Sequence, residues 1–232
     1  MHANGETVLL AGATGDTGRR VLDRLSRTPY RVRALARDEG RHDRLRRLGA
    51  DEVVVGDLLE PADAVRVAEG ADTVITCVGS TPRAVLTAAE ADLVDGRGNV
   101  QLLDAAVATG ASRFVMESSL GVGEDRASWM ARAFRLAIPT VLRAKARAEA
   151  AIRDSGLAYT ILRPGVLTGG SASDDVQAAE AGTGLWGAVP RADVARLLVA
   201  SLATPRAENR TLEVVRNPLL RSRAEPIDWR SP

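Results

Sequence analysis

The segment from Val8 to Leu25 constrains the fold most, because it joins a short apolar run, a turn with three glycines and a helical pattern in that order. We expect Gly12 to allow a tight turn after a strand, Gly15 to leave room for a pyrophosphate, and Gly18 to let the helix pack closely. The free N–H groups and the dipole of that helix then face the phosphates. This strand–turn–helix context favours dinucleotide binding over a turn that binds nothing. The residues expected to contact the cofactor here are Gly12, Thr14, Gly15, Asp16, Thr17 and Gly18.

Composition limits the classes of partner. The chain has 232 residues, with 31 basic and 30 acidic side chains, so its charge does not favour nucleic acid or an anionic membrane as a partner. Cys77 is the only cysteine, which excludes an internal disulfide and a metal site built from cysteines, and we expect no metal. Because no apolar stretch has the length of a membrane span or a signal peptide, we expect a cytoplasmic monomer or homodimer that acts on a small molecule.

Short β-branched runs alternate with helical patterns along the whole chain, which is typical of βαβ units. This pattern predicts the α/β class: one Rossmann-type domain with a doubly wound parallel sheet and helices on both faces. Strands are predicted at 8–11, 31–36, 52–55, 73–78, 113–117 and 158–162, with a late edge strand at 210–215. Helices are predicted at 16–27, 41–48, 62–68, 99–108, 138–155 and 192–202.

Three segments are long for plain connections, namely residues 79–98, 121–139 and 169–190. Each follows the carboxyl end of a predicted strand, where open α/β sheets bind ligands, so we expect substrate or lid segments there. The tail, residues 217–232, either wraps the domain or docks on a second subunit.

The end of the second predicted strand bears on the choice of cofactor. In this fold that position meets the adenosine ribose, and an acid there favours NAD, whereas an arginine suits the 2′-phosphate of NADP. Arg37 falls at this position, and a guanidinium can form paired hydrogen bonds with phosphate. NADP(H) is therefore expected over NAD(H). Asp38 follows directly and takes the position if the strand ends one residue later.

The ends of the third and fourth predicted strands are expected to line the cofactor. Asp57 and Leu58 would border the adenine. An equally favoured alternative is that Asp57 caps the helix that begins near Pro61. Cys77, Val78 and Gly79 would run along the ribose. We interpret Cys77 as a small packing residue rather than a nucleophile.

Lys145 is the one lysine among 31 basic residues. Its retention in an arginine-rich chain suggests work for a compact ammonium, such as donating to ribose hydroxyls or lowering the pKa of a neighbouring group. The alternative is an ordinary lysine on a helix surface.

Several of these motifs together resemble the atypical short-chain dehydrogenase/reductases, within the single-domain NAD(P)H-binding branch that includes biliverdin/flavin-reductase-like and NmrA-like proteins. The resemblance runs from about residue 8 to 202 and rests on GATGDTG, Arg37, FVMESSLG, Lys145, SGLAYTILRPG and PRADVARLLVASL. It implies that the nicotinamide lies near Ser118, Ser119, Lys145 and the turn of Pro164 and Gly165.

The sequence departs from active reductases of this family at one catalytic position. Those enzymes place a tyrosine four residues before the lysine, on one helix face, where the lysine lowers the pKa of the phenol. Here that position holds Val141. Ser119 or Ser118 matches the family's serine, which can position a carbonyl but is a poor proton donor alone.

Three functions follow as hypotheses. The first is NADPH-dependent reduction of a planar acceptor, such as a flavin, quinone or conjugated carbonyl, with Ser119 orienting the acceptor and solvent supplying the proton. In it, Trp129, Met130 and Phe134 form an apolar wall or lid, unless they are ordinary helix packing. The second is an NmrA-like regulator that senses NADP, and the third is an isomerase or epimerase with bound cofactor.

Overall fold

In an open α/β sheet, the carboxyl ends of the parallel strands are where ligands bind. A computed structural model describes residues 5–80, 85, 89–90, 93–123, 128–173, 175–227 and 229. Its strands are β1 Thr7–Ala11, β2 Arg31–Ala36, β3 Glu52–Val55, β4 Thr73–Thr76, β5 Arg113–Glu117, β6 Ala158–Pro164, β7 Val166–Thr168, β8 Gln177–Glu180, β9 Ala188–Pro190, β10 Arg210–Val215 and β11 Glu225–Pro226.

Helices connect most of these strands. Within the same residues they are α1 Asp16–Leu25, α2 His42–Arg47, α3 Pro61–Ala68, α4 Asn99–Ala108, α5 Trp129–Ala137, α6 Pro139–Asp154 and α7 Arg191–Ala200. A single π-helical turn, Val94–Gly98, leads directly into α4. None of the described helices is both long and apolar enough to cross a membrane.

The main sheet has nine strands among the described residues, in the order β11-β8-β10-β6-β5-β4-β1-β2-β3. The strands from β10 to β3 in that order pair in parallel, and β8 adds antiparallel to β10. β7 and β9 form a separate two-stranded sheet. The chain reverses direction across the sheet between β1 and β4, which is where open sheets of this kind bind ligands.

Apolar side chains of alternating strand residues separate into two cores. One face of the sheet packs against α1, α2 and α7, and includes Val115. The other packs against α3, α4 and α6, and includes Phe114 and Met116. Helices thus cover both faces, and the expected doubly wound Rossmann fold is confirmed.

The predicted edge strand at 210–215 is wrong in its position, although its bounds are right. β10 has β6 on one side and β8 on the other, so it lies inside the sheet. The strand prediction missed β8 because its sequence, QAAE, has no β-branched residue and is held by pairing with β10 and β11.

The described part of the tail wraps its own domain. β11 pairs with β8, and the indole of Trp229 is buried in the core beside α1 and α7. The backbone oxygen of Trp229 accepts a hydrogen bond from Arg196 in α7 over 3.3 Å.

Candidate functional site

The glycine turn closes against the end of β4. Gly12 has a φ of +83°, and a Cβ at this residue would lie 2.6 Å from the backbone of Cys77. A Cβ on Gly18 would lie 2.0 Å from the Gly12 oxygen, so Gly18 lets α1 approach the turn itself. Gly15 differs, because a Cβ there would meet only the Gly12 oxygen, at 3.3 Å. Its outer side is therefore open.

The N-terminus of α1 faces this opening. Gly15 stands at the N-cap position, and no described side chain caps the helix. An uncapped first turn presents backbone N–H groups and the positive end of the helix dipole. Such an end binds anions, phosphates among them.

A groove of about 310 Å³ extends from this turn across the ends of β2, β3 and β4. Its lining contains most of the residues expected from the sequence to meet the cofactor: Gly12, Thr14, Gly15, Arg37, Asp57, Leu58, Cys77, Val78 and Gly79. Leu35, Gly56 and Val94 also line it. The other expected residues, Asp16, Thr17, Gly18, Lys145, Pro164 and Gly165, lie outside its lining.

Arg37 and Asp38 both follow the end of β2, but their side chains have different surroundings. β2 ends at Ala36, as predicted, and the exposed Arg37 side chain lines the groove. The Asp38 carboxylate instead lies 3.8 Å from Arg41 Nε. The charged group presented to the groove at this strand end is therefore a guanidinium.

Asp57 does not cap a helix. Its Oδ1 accepts a hydrogen bond from the Leu59 N–H over 2.9 Å, while the residue at the N-cap of α3 is Glu60. The helix-cap alternative for Asp57 is therefore wrong. Asp57 stabilises a turn that borders the groove.

Lys145 on α6 is buried and paired. Its Nζ lies 3.3 Å from Asp95 Oδ1 and donates to the Glu117 backbone oxygen over 3.3 Å. The other oxygen of Asp95 accepts the Ser80 N–H over 2.7 Å. Since Ser80 directly follows Gly79, the ammonium lies behind the part of the groove at the end of β4. A surface lysine is excluded.

The residue four positions before Lys145 has an apolar side chain and lies among apolar neighbours. Val141 is buried with Leu93 and Ala144. No phenol or other acid can act from this position.

The two serines after β5 differ in what they contact. Ser118 is buried, and its hydroxyl donates to Glu149 Oε1 over 2.5 Å. Arg163 on β6 also binds Glu149, with a shortest contact of 2.7 Å. Ser119 is half-buried, and its hydroxyl donates to the Leu120 oxygen over 3.2 Å. Ser118 thus belongs to a buried network that joins β5, β6 and α6, and Ser119 is the more accessible hydroxyl.

Pro164 and Gly165 lie beside the segment that follows β5. The Leu120 N–H donates to the Pro164 oxygen over 2.8 Å. A Cβ on Gly165 would lie 2.2 Å from the Gly187 oxygen, so the chain before β9 passes directly against this turn. The chain after β5, the turn after β6 and the chain before β9 therefore meet at one place.

Glu117 is a buried acid that the sequence analysis missed. At the end of β5 its Oε1 accepts a hydrogen bond from Thr17 Oγ1 over 2.9 Å, and the Cys77 thiol hydrogen-bonds the same carboxyl. Burial raises the pKa of Glu117 above its ordinary value, against the nearby Lys145 ammonium, which lowers it. The available signal was an acid that follows three apolar residues at the end of a strand, in the sequence RFVME.

Cys77 behaves as a packing residue. Burial raises the pKa of its thiol well above the ordinary value, and the Glu117 carboxyl raises it further. A protonated thiol is a weak nucleophile. This agrees with the interpretation from sequence.

Comparison with known proteins adds a family. A family model described as NAD(P)H-binding matches residues 12–205. The uncharacterized sugar epimerase YhfK of Bacillus subtilis (strain 168) is 31% identical over 208 residues, covering 89% of this chain and 92% of that protein. Sanguinarine reductase of Eschscholzia californica is 26% identical over 252 residues, covering 91% and 89% respectively.

A solved structure extends the likeness to three dimensions. ChuY, an anaerobilin reductase from Escherichia coli O157:H7, is 26% identical, with a TM-score of 0.75 over 91% of this chain and 98% of that one. The expected resemblance to atypical short-chain dehydrogenase/reductases is confirmed. The chain belongs to the NAD(P)H-binding family of Rossmann-fold proteins.

Proposed function

We propose that this protein is an oxidoreductase that uses NADPH to reduce a small planar acceptor, such as a flavin, a quinone or a similar conjugated carbonyl compound. The observation that carries the proposal is the position of two cations relative to the groove, one in its lining and one behind it. Arg37 lies at the end of β2, and the buried Lys145 ammonium lies behind Gly79. A dinucleotide laid along the groove has a phosphate near the first and a ribose near the second.

The residues present fit such a cofactor. The open side of Gly15 and the uncapped start of α1 suit a pyrophosphate. Asp57 and Leu58 line the groove and would border the adenine. The preference for NADP over NAD follows from Arg37, because a guanidinium binds a 2′-phosphate with two parallel hydrogen bonds, whereas NAD offers only a hydroxyl there.

Lys145 would hold the nicotinamide ribose. An ammonium has three N–H donors, and the contacts with Asp95 and the Glu117 oxygen account for two of them among the described residues. The third donor suits a ribose hydroxyl. Asp95 fixes the ammonium in place, and Ser119 would orient the acceptor.

When bound, NADPH supplies a hydride, which carries two electrons, and one further proton completes reduction of a flavin or quinone. Val141 leaves this chain without the usual acid, so the acceptor must be one for which solvent can supply that proton. The names of two similar proteins, an anaerobilin reductase and a sanguinarine reductase, support a reductase.

The test is steady-state NADPH oxidation with riboflavin, menadione and an aliphatic ketone as acceptors. We expect saturable turnover with the first two, and a fall of at least tenfold in kcat/KM for NADPH in Lys145→Met. The matched control is Arg147→Met on the same helix, whose guanidinium pairs with Glu90 at the surface. If NADPH binds but no acceptor gives turnover above that of Lys145→Met, the enzyme proposal fails.

An NADP(H)-sensing protein without turnover is the second candidate. The apolar surroundings of Val141 favour it, since they supply no acid. Tight NADPH binding together with the absence of turnover in the same experiment would select it.

A further inference from the structure

Two of the three tryptophans in the chain meet outside the groove described above. The ring centroids of Trp129 and Trp186 are 5.7 Å apart, and the ring planes are tilted by 55°. Trp129 is the first residue of α5, and Trp186 lies just before β9. In a chain with only 3% aromatic residues, this pairing concentrates aromatic surface in one place.

The pair lies where the post-strand segments meet. Trp186 directly precedes Gly187, whose oxygen packs against Gly165. Trp129 belongs to the segment that follows β5, and the neighbouring Met130 Sδ accepts the Gly187 N–H over 3.4 Å. The two rings thus join the segment after Ser119 to the turn of Pro164 and Gly165.

The helix that carries Trp129 is incompletely covered. Ala131 is the only residue of α5 that is buried. Trp129 itself is 61% exposed, so much of its ring is available to a ligand. Its first turn is nevertheless held in place, because the Ser128 hydroxyl accepts the Ala131 N–H over 3.2 Å.

We propose that Trp129 and Trp186 form a stacking site for a planar fused-ring acceptor of the isoalloxazine or naphthoquinone type. The proposal rests on the function proposed above and assigns its acceptor to a place. Indole rings bind flat π-systems by offset or tilted stacking, and they combine large apolar area with little loss of rotamer freedom. The exposed part of the Trp129 ring is available to the acceptor, beside Trp186.

The site separates acceptor binding from cofactor binding. The cofactor groove is lined by residues at the ends of β1 to β4, whereas the rings are carried by the segments after β5 and before β9. An acceptor stacked on the rings is therefore presented from the β5 and β6 side of the sheet, the side on which Lys145 contacts the Glu117 oxygen at the end of β5.

The experiment measures riboflavin binding through loss of its own fluorescence, which stacking on indole quenches at contact range. NADP⁺ is kept saturating, so that the groove is filled and no reduction occurs. We expect wild-type protein to quench riboflavin saturably, and Trp129→Leu and Trp186→Leu each to raise the Kd about tenfold. Trp186→Phe, which keeps an aromatic ring, is expected to restore most of the affinity.

Two variants serve as controls. Leu136→Ser removes another strongly exposed apolar side chain of α5, and Trp229→Phe changes a buried tryptophan in the core. Both are expected to keep the wild-type Kd. Equal Kd values for wild type and Trp129→Leu, or no quenching by wild type, would overturn the proposal. So would a wild-type dimer that Trp129→Leu dissociates, because the rings would then be a subunit interface.

Turnover separates this proposal from the one on which it rests. If riboflavin binds through the rings but is never reduced, the stacking site is supported and the reductase proposal is rejected. If riboflavin is reduced and its KM is unchanged in Trp129→Leu, the stacking site is rejected and the reductase proposal is supported.

Discussion

Lys145 Nζ lies 3.3 Å from Asp95 Oδ1, and both side chains are almost completely buried. A buried ion pair adds little net stability, but removal of one partner leaves the other charge without compensation. The ion pair therefore fixes the position of the ammonium, and both Lys145 and Asp95 are needed for this.

Lys145→Met is expected to destabilise the fold by about 3 kcal/mol, because Asp95 would stay buried without its cation. Urea unfolding checks this value. Lys145→Met combined with Asp95→Asn should recover part of the loss. The matched change Arg147→Met breaks a pair whose arginine is mostly exposed, so it should cost less than about 1 kcal/mol. If Lys145→Met and Arg147→Met lower the unfolding free energy equally, the account is contradicted.

Arg37→Glu is expected to weaken NADPH binding about 10- to 100-fold and to leave NADH binding nearly unchanged. The reason is loss of a charge-assisted contact with the 2′-phosphate, together with a new like charge. Fluorescence titration with both cofactors measures the ratio. Arg27→Glu makes the same change of charge at the far end of α1, where Arg27 pairs with Asp23. A similar fall in NADPH affinity in that control, or an unchanged ratio in Arg37→Glu, would refute the assignment.

Gly15→Ala and Gly18→Ala should fail in different ways. A methyl group on Gly18 clashes with the Gly12 backbone oxygen, so overpacking of about 1–3 kcal/mol should appear in the unfolding free energy. A methyl group on Gly15 meets only one atom of the protein within 4 Å and projects into the groove. Its cost to stability should stay within about 1 kcal/mol, while NADPH affinity falls. The reverse pattern would show that these glycines have been assigned the wrong roles.

Glu117 gives a pH dependence with a definite sign. Because burial raises its pKa in the native protein, the native state keeps a proton that the unfolded chain releases. The stabilising contribution of this bound proton to the unfolding free energy is complete below the ordinary pKa of glutamate, about 4.3. It is lost as the pH rises through the higher native pKa.

Burial also raises the pKa of Glu213, so Glu213 contributes a pH dependence of the same sign. Glu117→Gln removes the titration of Glu117 and leaves that of Glu213 in place, so the difference between the two proteins reports on Glu117 alone. The unfolding free energy of wild type minus that of Glu117→Gln should therefore fall as the pH rises from about 4. Urea unfolding at several pH values measures it. A difference that grows with pH would mean that Glu117 is held as a stabilised carboxylate.

Local patterns were enough to predict the fold and most of the residues that line the groove. The bounds of β2, β3 and β5 follow from short β-branched or apolar runs between turn residues, and Arg37 could be placed because β2 ends where the pattern ends. The groove follows because parallel strands bring their carboxyl ends to one edge.

Contacts between distant segments were beyond the sequence. Asp95 meets Lys145 across 50 positions, in a π-helical turn that no periodicity indicates. Glu117 was hidden inside a motif read for its serines, and the hydroxyl of Ser118 is directed at Glu149. Such roles depend on tertiary packing rather than on local preference.

Hydride transfer itself is tested most directly by anaerobic reduction of menadione with NADPH deuterated at either face of C4. The account predicts one NADPH oxidised for each menadione reduced, and a primary isotope effect with only one of the two deuterated forms, because a cofactor held by Arg37 and Lys145 presents one face. NADPH that binds to the protein but is oxidised no faster than in buffer would contradict it.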